Sequence, residues 1–128
     1  STQAKTLFPY TTLFRSYLPR QICYDKYATQ TIADRLASSG QVTKDISGAA
    51  FYTACTDLKN ALDNQTLVHK GQDKWIQQMN NCAAKTNDSS WRIVKRTSGG
   101  DISGAIATAM VVTQLVKPQQ MPSIYVGE

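Results

Sequence analysis

The stretch 101–116, DISGAIATAMVVTQLV, constrains the fold more than any other part of the chain. Gly104, Ala105, Ala107 and Ala109 stand among Ile106, Met110, Val111, Val112 and Leu115, which predicts a helix apolar over most of its circumference. Such a helix must be buried, and its small residues allow close approach to a sheet. Just upstream, WRIVKR (91–96) reads as a strand, and Ser98, Gly99 and Gly100 as a tight turn. Asp101 then opens the helix, where free backbone N–H groups and the macrodipole favour an ionised carboxylate. It is either an N-cap or a ligand.

The rest of the chain alternates in the same way. RQICYD is a short apolar strand ending in Asp25, and YATQTIADRLASSG a helix with Tyr27, Ile32 and Leu36 at helical spacing and Gly40 as its stop. VTKDIS reads as a second strand. AFYTACTDLKNALDN is amphipathic, with Phe51, Ala54, Cys55, Leu58 and Leu62 on one face. TLVH (66–69) reads as a third strand, KGQ as a turn, DKWIQQMNNCAAKTN as a helix, and NDSS (87–90) as the turn into WRIVKR. The expected order is β-α-β-α-β-α-β-α with short connections, hence an α/β fold with right-handed crossovers and a mostly parallel sheet covered by helices.

Bulk properties narrow the classes. At 128 residues, the chain is one domain or part of one. Hydrophobic content of 41% with 18% charged residues excludes a disordered polyelectrolyte. Thr108, Thr113 and Gln114 interrupt the longest apolar run before it reaches the ~18 residues of a membrane span, and no secretory signal is expected. Cys23, Cys55 and Cys82 are odd in number, lack a C-x-x-C pair and accompany a single histidine, which speaks against a disulfide framework and a zinc site.

Residues 6–16, TLFPYTTLFRS, resemble the translation of a short-read sequencing adapter over all eleven positions. The expectation is that 1–16 is a non-native leader, with 17–117 the credible portion of a domain and 118–128 an irregular tail. Without Lys5 and Arg15 the formal charge falls from +5 to +3. An anionic partner is allowed by that charge, not required by it.

In an open parallel sheet, ligands gather outside the carboxyl ends of the strands. Asp25 ends the first strand there, and Asp101 follows the last strand at the same expected edge. Two converging carboxylates suit a hard divalent cation such as Mg²⁺ or Mn²⁺. Either aspartate alone is equally well a helix cap or a turn residue. Lys95 and Arg96 precede the turn to Asp101 and Lys26 adjoins Asp25; each is a phosphate contact or a solvated strand end. His69 is an acid–base candidate or a structural hydrogen-bonding group. The cysteines lie on buried faces without a positioned base, and Trp75 and Trp91 fall in core phase.

The stretch LVHKGQDKWIQQMNNCAAKTNDSSWRIVKRTSGGDISGAIATAMVVTQ resembles the C-terminal end of the large terminase subunit of tailed bacteriophages. ICYDKYATQTIADRLASSG resembles that family's strand ending in Tyr-Asp with its following helix and Gly, so the similarity spans about 20–116. The resemblance implies an incomplete ribonuclease H-like nuclease domain that cuts concatemeric viral DNA. Asp25 and Asp101 would be catalytic metal ligands, with two Mg²⁺ or Mn²⁺ ions in the intact domain. The family's first-strand aspartate has no counterpart before Asp25, so impaired activity is expected. Double-stranded viral DNA is the implied partner, joined in the intact protein by the portal and small terminase subunit, within the bacterial host cytoplasm and without a membrane. No G-x-x-x-x-G-K-[ST] motif occurs, so ATP hydrolysis is not expected. The rival readings are a non-catalytic α/β binding or assembly module, and another ribonuclease H-like nuclease of resolvase or integrase type.

Overall fold

The computed structural model describes residues 17–118. The adapter-like leader and tail residues 119–128 lie outside the described residues. The chain divides into two compact units, the first ending at Ser47 and the second beginning at Gly48.

The first unit is a β-α-β element. Strand β1 (Ile22–Tyr24) leads into helix α1 (Lys26–Ser38), and strand β2 (Thr43–Asp45) returns parallel to β1, with Tyr24 in register with Asp45. α1 kinks at Thr29, whose hydroxyl donates to Asp25 O at 3.1 Å. It stops where the sequence predicts: Gly40 takes φ +96°, a conformation that favours glycine, and Gln41 N donates to Leu36 O at 3.0 Å. Ala33, Leu36 and Ile46 are buried.

The second unit holds helix α2 (Ala49–Asp63), helix α3 (Asp73–Asn80), strands β3 (Cys82–Asn87) and β4 (Ser90–Lys95), and helix α4 (Ser103–Leu115). β3 and β4 form an antiparallel hairpin through a two-residue loop, in which Asp88 takes φ +41°. α2 turns Ala54, Cys55, Leu58 and Ala61 inward, and α4 turns Ala105, Ala109, Met110, Val112 and Thr113 inward. Alanines on both faces let the two helices approach closely. Thr113, buried in that layer, satisfies its hydroxyl by donating to Asp57 Oδ2 at 2.7 Å.

Two expectations are corrected. Among the described residues the element order is β-α-β-α-α-β-β-α, and the sheet is not mostly parallel: the strands make one parallel pair and one antiparallel pair. TLVH forms no strand. Thr66 N and Leu67 N donate to Ala61 O as the chain leaves α2, and Val68 is 88% exposed. CAAKTN, expected at the end of a helix, is strand β3. α3 ends at Asn80, and Arg96 N donates to Asn81 O at 2.9 Å, adding a rung to the base of the hairpin.

Candidate functional site

Asp25 belongs to the first unit and Asp101 to the second, and they follow strands of different sheets. The single sheet edge expected to carry both is not formed among the described residues.

Asp25 leaves the carboxyl end of β1 in an extended conformation and caps α1, its Oδ1 accepting from Tyr27 N at 2.9 Å. Asp45, which ends the adjoining strand, stands beside this cap. Its Oδ1 accepts from Lys26 N at 3.1 Å and its Oδ2 from Ser47 Oγ at 3.0 Å. Two carboxylates therefore serve the N-terminus of one helix, where the free N–H groups and dipole favour negative charge. Asp45 was legible only as the polar end of VTKDIS; parallel pairing of β2 with β1 is what sets it beside Asp25. Lys26 extends over the Tyr27 ring, its Nζ 5.2 Å from the centroid, within cation–π range.

Asp101 is held by its own turn. Oδ1 accepts from Ser103 N at 3.0 Å and Oδ2 from Ser103 Oγ at 2.8 Å. The Ser103 hydroxyl, then the Ser103 N–H, hold the carboxyl below the usual aspartate range, with Lys95 adding a smaller attraction. α4 itself begins at Ser103, and Ile102, in the cap position, has no side chain able to cap it. Part of the capping comes from α3: Gln78 Oε1 accepts from Gly104 N, Gln78 Nε2 donates to Asp101 Oδ2 at 3.3 Å, and Asn81 Nδ2 donates to Asp101 O at 3.2 Å. Glycines make the room. A Cβ on Gly99 would lie 3.1 Å from Asn81 O, one on Gly100 3.2 Å from Asn81 Nδ2, and one on Gly104 2.6 Å from Gln78 Oε1. The sequence singled out these glycines only as a turn and as small helix residues; their partners on α3 were not legible.

His69, Trp75 and Arg96 have structural partners. His69 Nδ1 accepts from Gly71 N at 2.9 Å, and its ring lies 4.4 Å from that of Trp75. Trp75 Nε1 donates to Thr108 Oγ1 at 2.9 Å. Arg96 Nε donates to Cys82 O at 2.9 Å, and Lys95 is exposed. All three cysteines are free thiols. Burial raises the pKa of Cys55 and of Cys82, opposing thiolate formation. These two thiols, with Leu58, Trp91 and Ile93, line an open apolar groove of about 240 Å³ between α2 and the hairpin.

Two divalent ions require several carboxylates converging on one point. Among the described residues no group of three or more histidines, cysteines, aspartates or glutamates is placed to hold a metal ion. Both oxygens of Asp101 are already engaged by Ser103. The described residues do not make up a two-metal site, and no reaction step runs through metal.

The class these features define is an α/β protein with two small sheets and helices against them. No family model matches the chain, and neither a curated protein nor a solved structure is significantly similar to it. Among the described residues no helix is long and apolar enough to cross a membrane.

Proposed function

We propose that this chain is a portion of the ribonuclease H-like nuclease domain of a phage large terminase subunit, acting on double-stranded viral DNA in the bacterial host. Asp25 and Asp101 are its metal-directed carboxylates, for Mg²⁺ or Mn²⁺, and Lys95, Arg96 and Lys26 its phosphate contacts. In the intact protein the portal and small terminase subunit are further partners. The observation that carries this reading is Asp25, which leaves the carboxyl end of a parallel strand beside a second carboxylate, Asp45, which ends the neighbouring strand in register with Tyr24. Strand carboxyl ends are where open α/β sheets hold ligands. Because the ligand set is incomplete, the expected behaviour is weak metal binding without turnover.

A second reading, a non-catalytic α/β module, is favoured by the engagement of Asp101 with Ser103 and Gln78, which commits that carboxylate to the turn ahead of α4. Calorimetric titration of the full chain with Mn²⁺ separates the two. The nuclease reading expects weak binding that diminishes in Asp25→Asn, at the carboxyl ends of β1 and β2. Absence of binding by the folded wild type, or binding indifferent to that substitution, rejects it in favour of the module.

A further inference from the structure

Strand pairing sorts the charges of the β3–β4 hairpin between its two faces. Lys85 lies opposite Arg92, Ala83 opposite Val94, and Arg96 follows one rung further along. Side chains alternate along a strand, so residues 83, 85, 92, 94 and 96 share one face and residues 82, 84, 91, 93 and 95 the other. α2 packs against the β4 side of the second face, where Ala84, Trp91 and Ile93 line the groove with Leu58. The first face carries Lys85, Arg92 and Arg96 and no carboxylate. Lys85 and Arg96 are exposed, and Arg92 is half-buried.

None of these three cations is paired with a carboxylate among the described residues; the ion pair found there, Lys59–Asp63, lies on α2. Lys85 and Arg92 face each other directly, an arrangement in which like charges weaken an antiparallel pair. An anion laid across them removes that repulsion. Arg96 is already fixed over the ribbon by its bond to Cys82 O.

We propose that this outer face of the hairpin binds the sugar–phosphate backbone of duplex DNA, with Lys85, Arg92 and Arg96 each meeting a phosphate. DNA as the partner rests on the nuclease reading; the surface and the residues Lys85 and Arg92 go beyond it. Arg92 and Arg96 are four residues, roughly 13 Å, apart along the strand direction, so the cations form a narrow strip that follows a line of phosphates. A two-stranded ribbon is also slim enough for the major groove, about 12 Å wide. An anionic membrane fits less well, because membrane-surface binding adds inserted apolar side chains to the cations, and this face offers only the half-buried Ala83 and Val94. Contacts to phosphate carry no base information, so binding is independent of sequence.

The test is fluorescence anisotropy of a labelled random-sequence 20-bp duplex with the full chain, in EDTA, across a salt series. Lys85→Ala/Arg92→Ala should flatten the slope of log K against log salt by about 1.8, at ~0.9 for each phosphate no longer neutralised, and weaken low-salt binding by roughly tenfold or more. Lys70→Ala/Lys74→Ala, an equal loss of charge off the ribbon, should leave the slope near the wild-type value. Circular dichroism melts check folding, and relief of the Lys85–Arg92 repulsion predicts that Lys85→Ala melts no lower than wild type. Equal slope changes in the two double variants overturn the proposal, as does an unchanged slope in the ribbon variant. Wild type that ignores the duplex but binds phosphatidylglycerol vesicles also overturns it. Because EDTA is present, a failed Mn²⁺ titration leaves the ribbon result standing, and a positive one does not rescue it.

Discussion

Gly104→Ala is the substitution whose sign depends most directly on the α3–α4 junction. At an unhindered helical position, replacing Gly by Ala stabilises by roughly 0.5–1 kcal/mol. Here the added methyl would lie 2.6 Å from Gln78 Oε1 and 3.3 Å from its Cδ, so the Gln78 amide must withdraw. Its withdrawal strands Gly104 N and removes the long hydrogen bond to Asp101 Oδ2. A net hydrogen bond is worth about 0.5–1.5 kcal/mol, and the exposed one to Asp101 belongs at the low end of that range. Gly104→Ala in the wild type is therefore expected to fall between neutral and about 1 kcal/mol destabilising. In a Gln78→Ala background the same change should stabilise by roughly 0.5–1 kcal/mol, giving a coupling of about 1–2 kcal/mol in the double-mutant cycle. Urea titration followed by tryptophan fluorescence is the assay, since Trp75 and Trp91, the chain's two tryptophans, both belong to the second unit. Equal stabilisation in the two backgrounds would refute the capping role of Gln78.

Two further outcomes follow from the same unit. Leu58 is 2% exposed at the centre of the inward face of α2; Leu58→Ala should cost about 2–3 kcal/mol in urea unfolding, toward the low end for a buried leucine because the adjoining groove is open, and a loss under ~1 kcal/mol would contradict this core. The pKa of Asp101 is lowered on folding, so its contribution to stability is complete above the unfolded value near pH 4 and lost as pH falls through the folded value. Asp101→Asn should therefore lose less stability than wild type below about pH 4, as read by acid titration of the fluorescence signal; parallel acid limbs would show the carboxylate to be uncoupled from folding.

The sequence was most legible where local chemistry decides the structure. Gly40 ends α1, Ala54, Cys55 and Leu58 mark the inner face of α2, and Ala105 and Ala109 mark the inner face of α4, although that face meets α2 rather than a sheet and Val111 and Leu115 are exposed. It was least legible where partners decide. TLVH has strand propensity but no strand beside it, and its backbone caps α2 instead. CAAKTN has helix-compatible alanines, yet the NDSS turn folds it back on Trp91–Lys95, where cross-strand pairing outweighs propensity. Both candidate aspartates follow strands, as their sequence context indicates, but those strands belong to separate two-stranded sheets rather than to one continuous sheet. Asp101 was legible as a residue before a helix; that Gln78 of α3 and Asn81 just past its end share in holding that turn was not, because the hydrogen bonds span twenty positions or more.

The junction between α3 and α4 also bears on how the second unit assembles in time. Gln78 and Gly104 are 26 positions apart, but the hairpin lies between them, and its last rung joins Asn81 to Arg96. A hairpin of this kind closes within ~1–10 μs. Once it has closed, the chain separating Gln78 from Gly104 is less than half its former length, and halving a loop lowers its closure cost by about 0.6 kcal/mol. Helix docking then proceeds roughly threefold faster than across an open loop. Changes to the Asp88 turn should for that reason slow folding as well as loosen the ribbon, whereas changes at Gln78, whose bonds form after closure, should act mainly on the rate of unfolding.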